Sequence, residues 1–175
     1  MRLNLLFLLL LFASCKDTGD KSASSSYDVE KKVSSGIELN IYDYQGLEPL
    51  LSTDSKMVYV VNFWATWCAP CVKELPFFEK INTEYAHRNV EVLLVSLDFP
   101  NKYDSQLKPF ILDKGLKSRV VALNDPDANT WIPKVSETWS GAIPATLIFN
   151  KDKRMFYEKA FTFEELQAEV EQFLN

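Results

Sequence analysis

The chain has 175 residues, 47% of them hydrophobic and 13% aromatic, with a formal net charge of −5. That is enough apolar material for one packed domain of ordinary size. The acidic balance and the scattering of the basic residues exclude a basic stripe for nucleic acid.

At the N-terminus, Arg2 precedes an apolar run from Leu3 to Phe12, and the small residues Ala13 and Ser14 stand before Cys15. Positive, apolar, then small is the order of a secretory signal over residues 1–14, too short for a spanning helix. A short uncleaved membrane anchor is the alternative. Phe12-Ala13-Ser14-Cys15 resembles the lipobox of bacterial lipoproteins, with Phe12 where Leu is usual. The resemblance implies that Cys15 becomes the lipidated first residue. Several acyl chains anchor stably where one binds only marginally. Lys16 to Ser35 is polar and Ser-rich, with Tyr27 as its one aromatic residue. It reads as a flexible tether of r.m.s. span about 25 Å. Residues 15–35 are thus the lipidated Cys and tether, and 36–175 the globular domain.

Within that domain, Ile37 to Tyr42 alternates and predicts a strand, with a turn over Tyr44 to Leu47 and a short helix or loop from Pro49 to Lys56. Met57 to Trp64 is a near-continuous run of β-branched, aromatic and other apolar residues. That pattern suits a central strand buried on both faces. Ala65 to Trp67 turn the chain. Val72 to Arg88 is predicted as a helix whose apolar face is Val72, Leu75, Phe78, Ile81 and Tyr85, kinked at Pro76. Val90 to Leu97 is a second buried strand, parallel to the first through a right-handed crossover. Asp98 to Lys102 is read as a loop, Ser105 to Lys114 as a helix with Pro109 against it, and Arg119 to Leu123 as a strand. Asp125-Pro126-Asp127 signals a turn over residues 124–129. A short helix is expected over Val135 to Trp139, after Pro133. Strands at Thr146 to Asn150 and Arg154 to Ala160 flank a hairpin turn at Lys151 to Lys153. Phe163 to Leu174 closes the chain as a helix with Leu166, Val170, Phe173 and Leu174 on its apolar face.

Cys68-Ala69-Pro70-Cys71 falls at the predicted strand-to-helix junction, the reading of a redox dithiol. Free N–H groups and the helix dipole favour an anion there. A thiolate so placed has a pKa of roughly 3.5–7.5, against about 8.5 for free cysteine. Cys71 lies one turn in, within reach of a sulfur bonded to Cys68. Cys68 is therefore assigned as nucleophile and Cys71 as resolving thiol. Pro70 suits a first helical turn. The chain has three cysteines. With Cys15 lipidated, this pair alone remains. His87 is the only histidine, so a zinc site lacks two ligands and no metal is expected.

The run Asn62-Phe63-Trp64-Ala65-Thr66-Trp67-Cys68-Ala69-Pro70-Cys71 resembles the active-site segment of the thioredoxin superfamily. Val72-Lys73-Glu74-Leu75-Pro76 narrows the likeness to the membrane-tethered thiol-disulfide oxidoreductases of the TlpA/ResA type, over about residues 36–175. The resemblance implies a thioredoxin-like α/β fold: a central mixed sheet flanked by helices, with an N-terminal β extension and a central insert. It implies a cis Pro144 facing the dithiol, with backbone groups of Ile143 turned to substrate; from the residues alone, a trans proline at a strand start is the alternative. Glu74 matches a family position from which a carboxylate can raise the thiol pKa values or relay a proton to Cys71; a solvated helix Glu is the alternative. Asn62 stands where cytoplasmic thioredoxins carry a buried Asp, and an amide exchanges no proton. Trp67 is placed at the border of the dithiol face and Trp64 in the core. Trp131 and Trp139 are read as packing rather than as a substrate groove. The implied function is reduction of protein disulfides outside the cytoplasm, on the periplasmic side of a bacterial cell envelope. Electrons would come from a membrane thiol-transferring donor, with no cofactor beyond the dithiol, and cytochrome c maturation is the family role. Two alternatives stay open: a thiol oxidase or isomerase using the same dithiol, and a tethered peptide-binding module without turnover.

Overall fold

A computed structural model describes residues 36–174. The signal segment, Cys15 and the whole of the tether lie outside the described residues. The strands are β1 (Asn40–Tyr42), β2 (Val58–Trp64), β3 (Val90–Ser96), β4 (Arg119–Leu123), β5 (Ala145–Phe149) and β6 (Arg154–Tyr157). The helices are α1 (Tyr44–Leu47), α2 (Ala69–Glu84), α3 (Lys108–Lys114), α4 (Ala128–Val135) and α5 (Phe163–Glu171).

One six-stranded sheet runs in the order β1-β4-β3-β2-β5-β6. The first four strands of that order are mutually parallel, and β5 and β6 are antiparallel to their neighbours. The period of two along β2 sorts its side chains between two cores. Val58, Val60 and Trp64 join Leu75, Phe78 and Ile81 of α2, Ile111 of α3 and Leu166 and Val170 of α5. Val61 and Phe63 join Leu47 of α1, Trp131 and Val135 of α4, and Trp139. The sheet is therefore covered on both faces, as the apolar run from Met57 to Trp64 predicts. The N-terminal extension supplies the edge strand β1. The excursion through α3, β4 and α4, between β3 and β5, contains the expected central insert.

Several boundaries differ from the sequence reading. The first strand is three residues long rather than six, because only Asn40 to Tyr42 find partners on β4. The turn expected at Tyr44 is one turn of helix, capped by the Asp43 carboxylate, which accepts the Gly46 N–H at 2.8 Å. The helix expected over Val135 to Trp139 is instead Ala128–Val135, with Pro133 inside it. Trp131 and Val135, one turn apart, both bury against the sheet, and this offsets the one backbone bond that Pro133 forgoes. Ser136, in extended conformation, ends that helix. Pro109 likewise lacks an N–H for Ser105, and the chain widens just before it into a π turn, Tyr103–Leu107. The last strand stops at Tyr157. The helical region after the cysteines ends its α part at Glu84 and continues as a 3₁₀ turn over Ala86–Arg88, leaving His87 exposed.

Candidate active site

The centre of the site follows from how α2 begins. Cys68 is its N-cap, in extended conformation, with Pro70 in the first turn. The Cys71 N–H points at Cys68 Sγ, 3.3 Å away. A backbone donor and the positive end of a 16-residue helix thus meet at one sulfur, the arrangement that holds a thiolate below its free pKa. Cys68 and Cys71 are joined as a disulfide with Cα atoms 5.3 Å apart. Cys71 is fully buried and Cys68 is 6% exposed. Of the two sulfurs, Cys68 is therefore the one nearer to solvent.

Opposite the disulfide is the turn before β5. The Ile143–Pro144 peptide is cis. Pairing of Phe63 with Ala145 puts Pro144 beside the C-terminal end of β2. The Ile143 carbonyl oxygen lies 3.8 Å from Cys68 Sγ, a position at which the reduced thiol can donate to it. The turn is held from below. Trp139 Nε1 donates to the Ala142 carbonyl at 2.8 Å. The Glu158 carboxylate accepts the Ser140 hydroxyl and the N–H groups of Ser140 and Ala142. The Ser140 bonds lead in holding the Glu158 carboxyl below its ordinary range. Trp131 and Trp139 are both buried. Trp139 packs on Phe63, Trp131 and Phe156, so these tryptophans support the site rather than line it.

Glu74 is not a solvated helix residue. It is 1% exposed, one turn beyond Cys71 on the side of α2 that faces β2. Its Oε2 accepts the Phe161 N–H at 2.7 Å, and its Oε1 accepts Asn62 Nδ2 at 3.0 Å. Burial pushes its pKa up to about 7, against the pull of these two bonds. Asn62 Nδ2 also lies 3.2 Å from Thr146 Oγ1 and 3.4 Å from the Ala145 carbonyl, whereas Asn62 Oδ1 is buried without a hydrogen-bond partner among the described residues. A carboxyl that titrates near neutrality in this position can take or give a proton.

On the other flank, Trp67 is 54% exposed and stacks on Phe99, itself 63% exposed, with ring centroids 6.4 Å apart. Beneath them the buried Asp98 carboxylate accepts the Thr66 N–H at 3.1 Å, the Thr66 hydroxyl at 2.5 Å and the Ser96 hydroxyl at 2.9 Å. Gln106 donates to Thr66 Oγ1 at 2.8 Å. The sequence reading missed Asp98, Phe99, Glu158, Thr146 and the Phe161 N–H. For Asp98 and Phe99 a signal was available: they follow the C-terminal end of a parallel strand, where open α/β sheets gather their sites. Trp64 is in the core, packed on Phe110. A groove of about 520 Å³ between α2 and α3, lined by Val72, Pro76, Phe110 and Leu116 among others, contains neither sulfur and not Pro144.

A dithiol capping the helix after a central strand, facing a cis-proline turn on the neighbouring strand, defines a thioredoxin-like protein. The family model described as the AhpC/TSA family matches residues 37–158, and the chain belongs to that family. Among curated relatives, it is 33% identical over 97 residues to the thioredoxin-like protein YneN of Bacillus subtilis, covering 55% of this chain and 51% of that one. To the thiol-disulfide oxidoreductase ResA of Bacillus thuringiensis (strain Al Hakam) it is 30% identical over 96 residues, 54% and 50% of the two chains. The chain thus spans about half the length of the curated relatives it matches. Solved structures share the fold. A thioredoxin-related protein of Neisseria meningitidis serogroup B superposes with a TM-score of 0.59 at 21% identity, over 71% of this chain and 89% of that one. A secreted thiol-disulfide isomerase of Corynebacterium glutamicum gives 0.57 at 21% identity, over 69% and 72%.

Proposed function

We propose that the protein is a thiol-disulfide oxidoreductase that reduces disulfides of extracytoplasmic proteins. The observation that carries this reading is Cys68 Sγ at the start of α2, with the Cys71 N–H on one side and the Ile143 carbonyl on the other. In the reduced enzyme, the Cys68 thiolate attacks one sulfur of a substrate disulfide. That bond breaks, the second substrate sulfur leaves as a thiolate and takes a proton, and a mixed disulfide with Cys68 remains. A substrate strand is steadied by backbone pairing at Ile143. Cys71 then gives up its proton towards Glu74 and attacks Cys68 Sγ. The substrate sulfur that was bonded to Cys68 departs as a thiolate and takes a proton, and the enzyme is left with the Cys68–Cys71 disulfide. Substrate gains two electrons and two protons, and the enzyme dithiol loses them. No cofactor beyond the dithiol enters this cycle. A membrane thiol-transferring donor must return the electrons for the next turnover.

Location and role are part of the same proposal. Residues 1–15 support export and lipid anchoring at Cys15. The TlpA/ResA resemblance supports cytochrome c maturation, with a haem-binding cysteine pair as substrate. The test is insulin reduction by the full-length chain against its Cys68→Ser variant. Loss of turnover in the variant is expected, and equal rates would end the enzyme reading in favour of a peptide-binding module. A measured potential near about −270 mV fits a reductase and one near about −120 mV an oxidase.

A further inference from the structure

We infer that Glu158 is a positioning residue for polypeptide substrates: its carboxylate sets the turn before Pro144 so that the Ile143 backbone stands ready to pair with a substrate strand. This rests on the oxidoreductase reading above and adds to it a preference for polypeptide disulfides over small ones.

Three donors of one short turn converge on this carboxylate. The Ser140 N–H group lies 3.1 Å from it and the Ala142 N–H group 3.0 Å, and the Ser140 hydroxyl is the third donor. Hydrogen bonds to a charged acceptor are stronger than those between neutral groups. Gly141 stands between the two amides at φ 93°, the left-handed region that a side chain enters only with strain, and a Cβ there would come within 3.0 Å of Ile132. From the core side, Trp139 Nε1 donates to the Ala142 carbonyl at 2.8 Å. Both backbone groups of Ala142 are therefore committed. Those of Ile143 are left for a substrate: among the described residues its N–H has no hydrogen-bond partner, and its carbonyl faces Cys68 Sγ at 3.8 Å.

Strand register gives the brace its direction. Tyr157 pairs with Thr146 across β5 and β6, so Glu158, the next residue, falls opposite Ala145, the one after Pro144. Strand β5 lies between β2, which leads to the sulfurs, and the edge strand β6. Glu158 thus grips the turn from the side away from Cys68. Glu158, Ser140 and Ala142 are all exposed. Their bonds compete with water and add little to global stability. What they restrict is the freedom of the turn. An incoming strand that pairs with a fixed backbone gives up less entropy than one that must first order it. A small disulfide without a peptide backbone gains nothing from that.

The test mixes the reduced full-length chain with rising concentrations of a peptide disulfide or of cystamine and follows a single turnover. Glu158→Ala is expected to raise the half-saturating peptide concentration about fivefold, with a limiting rate within about twofold of wild type and a cystamine rate lowered by less than about twofold. Glu158→Gln, which keeps one acceptor oxygen, is expected to give a rise of about twofold, and Ser140→Ala, which removes one donor, a smaller one. Exchange of the Ala142 amide should quicken in Glu158→Ala. A half-saturating concentration unmoved in every variant overturns the proposal, even where that amide exchanges faster, since the bonds would then serve the fold alone. An equal fall in rate on peptide and cystamine overturns it too, making Glu158 a support of the dithiol. Should Glu158→Ala fail to fold, Glu158→Gln and Ser140→Ala decide on the same readout. Wild type that handles peptide and cystamine with the same half-saturation sinks this inference alone. Wild type that reduces neither sinks the oxidoreductase reading and this inference with it.

Discussion

Replacing Glu74 by Gln should stabilise the protein above neutral pH and leave it unchanged in acid. Burial raises the Glu74 carboxyl from an ordinary 4.5 to about 7. Between those values the folded chain holds a proton that the unfolded chain has released, so stability falls as pH rises from 4.5 to 7. Above pH 7 the folded state carries a buried carboxylate at a cost of about 3 kcal/mol relative to pH 4. Gln has nearly the same shape and no charge. Its Oε1 can accept the Phe161 N–H in place of Glu74 Oε2. Its Nε2 then faces the Asn62 amide, whose Oδ1 has no hydrogen-bond partner among the described residues. A half-turn of that amide presents Oδ1 to both the new donor and the Thr146 hydroxyl. The substitution therefore removes the ionisation cost, while the turned amide exchanges one unpaired Asn62 group for another, Nδ2 now standing where Oδ1 had no partner among the described residues.

Urea unfolding of the oxidised full-length chain at pH 4 and pH 8.5 measures this. Glu74→Gln should gain about 2–3 kcal/mol at pH 8.5, or about 6–12 °C in Tm, and close to nothing at pH 4. A variant no more stable than wild type at pH 8.5, or a gain equal at both pH values, would refute the titration assigned to Glu74. Turnover should move the other way. Without a carboxyl to receive the Cys71 proton, resolution of the mixed disulfide should slow by at least about tenfold at pH 8.

The remaining predictions concern the two sulfurs and the far loop. Cys71→Ser should accumulate mixed disulfides with substrates, because attack by Cys68 proceeds and resolution does not; pull-downs that release nothing on reduction would deny Cys68 the attacking role. Asp98→Ala should lower stability by about 2–4 kcal/mol at pH 7, since it leaves the Thr66 N–H and the Thr66 and Ser96 hydroxyls without their shared acceptor; a urea midpoint within error of wild type would show that the loop repacks freely.

What the chain discloses by itself depends on the range of the interaction involved. The run from Met57 to Trp64 and the spacing of Leu75, Phe78 and Ile81 are local periodicities, and they place β2 and α2 to within a few residues. The dithiol is legible for the same reason, because an N-cap, a first-turn proline and a partner one turn in are all local. The helix from Ala128 to Val135 was misplaced because Pro133 is a strong local signal, overridden by burial of Trp131 against residues far away in sequence. The position of Asp98 after a parallel strand was a signal, but its tie to Thr66 and the brace at Glu158 were hidden because the partners lie 32 and 16 to 18 residues distant, from Asp98 to Thr66 and from Glu158 to Ser140 and Ala142.

Glu74 belongs to this second kind, and the reason bears on function. At its position the sequence carries one carboxylate on a helix, which by local rules belongs in water. Its polar partners are Asn62 on β2, itself bonded to Thr146 on β5, and the Phe161 backbone ahead of α5, brought together only by the closed sheet. Asn62 offers the carboxylate a single N–H and no charge, so the site cannot hold an anion as cheaply as an arginine would. A neutral amide opposite a buried carboxyl leaves the two protonation states close in free energy at the pH where thiols exchange. In the proposed cycle, the neutral amide at residue 62 exchanges no proton, and the carboxyl that titrates near 7 is Glu74 on α2, one turn from the sulfur that has to lose its proton.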